Sequence, residues 1–128
     1  MSESRDWKGM ILDATALIDF QYLEDWDWLN NYYAPLYIAQ ELLDSDHLEA
    51  GTKTTAAEPL TPICMDTEVM FTSFYQFGQE ARLLSIGDRS TLAISKHRFL
   101  LCASDDGLVV KFCEKYPSFV TLPNQDRN

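Results

Sequence analysis

Residues 99–106 read FLLCASDD, five apolar residues in a row followed at once by a hydroxyl and two acids. A continuous apolar run is what a central parallel strand requires, because helices cover both of its faces and neither face alternates with polar residues. Acids placed just past such a strand are costly to desolvate unless something positive stands among them. Outward from this run, three other stretches place an acid similarly: ILDAT at Asp13, AQELL at Glu41 and SIGDRS at Asp88.

Strands and helices alternate through the rest of the chain. Residues 10–12 predict a short buried strand, and 14–20 a helix with Leu17, Ile18 and Phe20 apolar. The stretch DWDWLNN at 25–31 continues as helix or as loop. A second strand at 35–39 (PLYIA) passes into a helix over 40–48, and AGTKTTAAEP at 50–59 has the composition of a loop. Residues 60–65 predict a third strand. Asp66 or Thr67 then caps a helix reaching Ala81, with Val69, Met70, Phe74 and Phe77 at helical spacing. Gly87-Asp88 breaks the chain, 89–98 is helical, and the apolar run at 99–103 is followed by a helix at 107–116 and an edge strand at 119–122. This order predicts an α/β sandwich with a mostly parallel central sheet.

At 128 residues the chain is expected to form one domain, residues 1–128, and its 46% hydrophobic content is that of a folded protein. The formal net charge is −10, which argues against holding nucleic acid by bulk charge alone. Bound cations would reverse the local sign at an acidic cluster. Cys64, Cys102 and Cys113 are odd in number and lie in apolar runs, so they read as small buried residues of a reducing cytoplasm. The polar start MSESRDWKGM has no signal-peptide pattern, and no apolar run approaches a membrane span. A cytoplasmic protein without a membrane partner is the expectation.

In open α/β sheets, ligands bind beyond the carboxyl ends of the strands. Asp13 and Asp105–Asp106 follow predicted strands directly, while Glu41 and Asp88 sit near helix starts, where the helix dipole favours a carboxylate. Four acids from four segments would then meet in one cleft. Carboxylate oxygens suit Mg²⁺ or Mn²⁺.

These pieces carry a resemblance. ILDATALIDF, IAQELL, LLSIGDRSTLAISK and LLCASDDGLVVKFCEKY resemble, in order, the four acidic segments of the PIN-domain ribonucleases, most closely the VapC-type toxin nucleases. The resemblance covers nearly the whole chain and implies a three-layer sandwich and a metal-dependent endoribonuclease. It also implies an RNA substrate, a toxin role with an antitoxin protein as partner or else a related processing or defence role, and a homodimer for which Tyr32, Tyr33 and Tyr37 could serve. Asp13, Asp88 and Asp106 would hold Mg²⁺ or Mn²⁺, with Glu41 completing the catalytic set and Thr15 and Ser104 as supporting hydroxyls. The family's hydroxyl-x-acid turn fits Ser104-Asp105-Asp106, with Asp106 as ligand, or Ala103-Ser104-Asp105, with Asp105. Ser90 stands where some relatives carry a further acid. Arg89 and Lys96, with Arg98 and Lys111, are the candidates for phosphate contacts.

Each residue also has a plainer role. Asp13, Asp88 and Asp105 or Asp106 are good helix caps, and Glu41 alone reads as a solvated helical residue. His47 and His97 read as surface or satisfied histidines. Trp26 and Trp28 could stack on bases but more commonly pack on a helix or partner. A PIN-fold interaction module without catalysis is the alternative. A phosphohydrolase of another kind is disfavoured by the absence of a GxxxxGK[ST] loop.

Overall fold

The structure, a computed structural model, describes residues 7–23, 26–45, 60–104 and 106–115. Four short strands form one sheet: β1 (Met10–Leu12), β2 (Leu36–Ala39), β3 (Thr61–Ile63) and β4 (Leu101–Ala103), in the order β3-β2-β1-β4. Every pairing is parallel, and Leu12 lies level with Ile38 on one side and Ala103 on the other. The apolar run at 99–103 becomes β4, buried throughout, although β1 rather than β4 is central among the described strands. The edge strand expected at 119–122 lies outside the described residues.

Six helices join and flank the strands among the described residues: α1 (Ala14–Leu23), α2 (Trp26–Tyr33), α3 (Gln40–Leu43), α4 (Glu68–Glu80), α5 (Ile86–Arg98) and α6 (Gly107–Lys115). The DWDWLNN stretch is thus helical for its greater part. The chain moves from β1 to β2 through α1 and α2, and returns from β3 to β4 through α4 and α5. Right-handed crossovers in opposite lateral directions put their helices on opposite faces of the sheet. The result is a three-layer α/β sandwich. Its core joins Met10, Ile11 and Leu12 to Leu17, Ile38, Met70, Leu92, Ile94 and Phe112.

Several element ends differ from expectation for local reasons. The helix expected over 40–48 stops at Leu43, because both the main-chain N–H and the hydroxyl of Ser45 donate to the Leu42 carbonyl (3.2 and 2.7 Å). Residues 46–48 lie outside the described residues. Thr67, not Asp66, caps α4, its hydroxyl accepting from Met70 N at 3.3 Å, while Asp66 pairs with Arg98 at 2.6 Å. Gly87-Asp88 does not break the chain. Helix α5 begins before it, capped by Ser85. Cys102 and Cys113 are buried and free as expected, but Cys64 is exposed. It follows β3, an outer strand whose Thr61 and Pro62 also face solvent. No helix among the described residues is long and apolar enough to cross a membrane.

Gly9 leads into β1 at φ +146°, and a Cβ there would stand 2.6 Å from the Pro35 carbonyl oxygen. Gly9→Ala therefore meets both a disallowed backbone and a backbone clash. It is expected to destabilise the fold by about 1–3 kcal/mol, read as a lower urea midpoint with unchanged slope.

Candidate functional site

The strand order reverses at β1. From there the chain builds outward to β2 and β3, then returns to place β4 on the opposite side. The carboxyl ends of β1 and β4 therefore flank a topological switch point, where α/β sheets leave a crevice. Asp13 follows β1 directly and Ser104 follows β4 directly.

Asp13 is 1% exposed, yet it carries a carboxylate. Its Oδ1 accepts from Ala16 N and from the Thr15 hydroxyl, both at 2.9 Å, and its Oδ2 accepts from the Ser104 hydroxyl. Its main-chain N–H donates to the Ala103 carbonyl at 3.1 Å, which ties β1 to β4. Burial pushes its pKa from an ordinary 3.8 up to about 6, outweighing the hydrogen bonds that favour the charged form, and the nearby negative Asp88 adds to the rise. The bond to Ala16 is the helix-capping role expected of an aspartate here. Capping alone does not account for a carboxylate so deeply enclosed.

Asp88 sits in the first turn of α5. Ser85 and Asp88 form a reciprocal capping box: the Ser85 hydroxyl accepts from Asp88 N at 3.1 Å, and Ser85 N donates to Asp88 Oδ2 at 3.3 Å. Asp88 is thus a partner in the cap while its charge reaches Asp13. Gly87 lets this turn approach α3 closely, since a Cβ there would lie 2.8 Å from Leu42 Cδ1. Ser85→Ala should cost about 1 kcal/mol, visible in a denaturant melt, because it removes the acceptor for the Asp88 N–H.

Glu41 lies in the first turn of α3, just past β2. Its Oε2 accepts from Met65 N over a long 3.5 Å, and its Oε1 is buried with no hydrogen-bond partner among the described residues. It is not the solvated residue that its place in a helix suggests when read alone. A buried carboxylate oxygen without a donor is unfavourable in the apo fold and suited to a cation.

Asp106 accepts from Leu108 N at 2.8 Å through Oδ1, capping α6, and its own N–H donates to the Ser104 hydroxyl at 3.0 Å. Ser104 therefore connects Asp106 to Asp13. Asp105 lies outside the described residues. Arg89 faces the protein, with Nε donating to the Leu84 carbonyl at 3.0 Å and Nη2 to the Arg82 carbonyl at 3.5 Å. Lys96 lies 5.7 Å from the centre of the Phe77 ring. It is eight residues beyond Asp88, roughly 12 Å along the helix axis. His97 is satisfied by the Ser73 hydroxyl at 2.7 Å.

Hydrogen bonds thus join Asp13, Thr15, Ser104 and Asp106, charge couples Asp88 to Asp13, and Glu41 stands on the same edge of the sheet. Among the described residues, no group of three or more His, Cys, Asp or Glu side chains is placed to hold a metal ion. A cation on these carboxylates would take much of its shell from water, as Mg²⁺ does. One residue escaped the sequence reading: Ser85, which has a signal in the S-x-x-D spacing of a capping box. Ser90, noted in the sequence, has a buried hydroxyl with no partner among the described residues.

No protein-family model matches the chain, and no curated protein matches it in sequence. Its fold is similar to that in the crystal structure of PAE2754 from Pyrobaculum aerophilum, with a TM-score of 0.61 and 12% identity, covering 88% of this chain and 83% of that one. At that identity the likeness concerns the fold alone.

Proposed function

We propose that the protein is a metal-dependent endoribonuclease whose acidic edge hydrolyses RNA phosphodiester bonds. The observation that carries this reading is Asp13, a carboxylate enclosed at the switch point of a parallel sheet beside a second negative charge. Capping α1 asks only for an exposed acceptor, not for a carboxylate this deeply enclosed.

The residues suit a divalent cation. The donors are all oxygen, the preference of Mg²⁺ and Mn²⁺, and the buried Glu41 Oε1 has no hydrogen-bond partner among the described residues. Asp13, Asp88 and Asp106 (or Asp105) would hold the ion, with Glu41 completing the set. When bound, such an ion supplies Lewis acidity that activates water and neutralises charge building on the phosphate. The chain's own residues do the rest. Thr15 and Ser104 fix the two Asp13 oxygens, and Ser104 couples them to the turn carrying Asp106. Ser85 holds Asp88 by its capping box. The Asp13 pKa near 6 makes the deprotonated form dominant at neutral pH while leaving the group ready to exchange a proton for a cation.

A toxin role with an antitoxin partner, and a homodimer, belong to the same proposal. Of the tyrosines considered for a dimer, Tyr32 is exposed, whereas Tyr33 is half-buried against Trp7. The competing reading is an interaction module of the same fold, favoured by the net charge of −10. Purified protein incubated with RNA in Mg²⁺, in Mn²⁺ and in EDTA separates them. Cleavage that requires the metal supports the nuclease; no cleavage of any RNA in either metal supports the module.

A further inference from the structure

A second concave site runs from the chain just before β1 and β4 across β2 to β3. This cleft of about 360 Å³ is lined by Lys8, Tyr37, His97, Arg98 and Phe99, with Ile63 and Leu100. Lys8 and Phe99 precede β1 and β4, and Lys8 N donates to the Phe99 carbonyl at 2.7 Å. Lys8 is five residues before Asp13, roughly 16 Å in extended chain, and none of the acidic-edge residues lines the cleft.

Three features set it apart. Its volume falls within the range of small-molecule sites. In a chain of net charge −10 its charged lining is wholly basic. Lys8 makes no ion pair among the described residues, and Arg98 uses Nη2 on Asp66, leaving Nε and Nη1 available. The third feature is Phe99. It ends α5 at φ +56° and ψ +48°, the left-handed conformation that helices usually give to glycine. The residue is nonetheless 61% exposed, so core packing does not repay the backbone strain. The basic last turn of α5 is explained by the helix dipole. That explanation covers neither Lys8, which lies outside the helix, nor an exposed aromatic in a glycine conformation.

We propose that this cleft binds a phosphate-bearing aromatic ligand of the mononucleotide class, its phosphate on Lys8 and Arg98 and its base against Phe99 and Tyr37. Arginine and lysine recognise phosphate by charge-assisted hydrogen bonds, and exposed rings give sequence-tolerant stacking on a base. The site does not depend on the nuclease reading of the acidic edge, and the two can fail separately.

The test is calorimetric titration of the full chain, in EDTA to silence metal-dependent binding at the acidic edge, with adenosine 5′-monophosphate, adenosine and inorganic phosphate. The monophosphate should bind saturably and more tightly than either part alone. Lys8→Ala should weaken it roughly tenfold without changing adenosine binding. Phe99→Gly should weaken it roughly tenfold while raising the melting temperature, since glycine relieves the left-handed cap. A purely structural Phe99 would raise the melting temperature and leave affinity untouched. The proposal is overturned by no saturable binding at millimolar nucleotide, by inorganic phosphate binding as tightly as the nucleotide, or by unchanged affinity in both variants.

Discussion

Asp13→Asn is expected to lose RNA cleavage by on the order of a hundredfold to a thousandfold, the scale of removing one electrostatic stabiliser of a transition state. The same variant should fold more stably than the parent at neutral pH. Asparagine Oδ1 can keep both bonds at 2.9 Å, from Ala16 N and the Thr15 hydroxyl. Its Nδ2 can donate to Ser104, whose oxygen has a second lone pair for Asp106 N. The charge is removed, and with it the repulsion from Asp88, while the Ser104 hydroxyl proton, which Asp13 Oδ2 accepts in the parent, must turn to another acceptor. Opposite changes in activity and stability mark a residue kept for function at a cost to the fold. Cleavage assays with thermal melts on the two proteins read both at once. Equal cleavage would remove Asp13 from the site, and a strongly destabilised variant would make it a structural cap.

The second large effect concerns pH. Below about 3.8 the Asp13 carboxyl is protonated in folded and unfolded chains alike; between 3.8 and about 6 the fold keeps the proton that the unfolded chain releases. Stability linked to this group is therefore fully present at low pH and is lost as pH rises through 6. The whole window corresponds to about 3 kcal/mol. Denaturant melts of the parent should show stability falling across it, and Asp13→Asn should flatten that fall. A divalent cation binding the ionised carboxylate should restore stability above pH 6 and do little at pH near 4, by linkage to the folded state. Identical pH profiles for parent and variant would mean that burial of Asp13 is less costly than its environment implies.

The fold was legible because its strands are written as short apolar runs. MIL, LYIA and LCA are uninterrupted, and each became a strand of the parallel sheet. Helix ends were less legible where a local preference yields to packing. Gly87 has the look of a helix breaker, but it lies inside α5 because Leu42 of α3 needs its missing Cβ. At the site, the Asp13–Thr15 pair is local, two residues apart, and could be anticipated. The bond from Ser104 to Asp13 spans 91 residues, and the approach of Met65 to Glu41 spans 24. Such contacts depend on how strands are ordered, which no local spacing encodes. Arg89 illustrates the limit from the other side. Its proximity to Asp88 in sequence suggested a phosphate ligand, whereas its guanidinium closes the turn between α4 and α5 on two main-chain carbonyls. The exposure of Cys64 follows likewise from the outer position of β3, not from the residues beside it.

The most direct measurement is calorimetric titration of Mn²⁺ into the parent and into Asp13→Asn at pH 7.5, in two buffers of different ionisation enthalpy. The acidic edge predicts saturable binding in the parent, with proton release that grows as pH is lowered toward 6, and loss of both in the variant. Indistinguishable isotherms for the two proteins, or no binding to the parent, would contradict a metal-dependent site at Asp13.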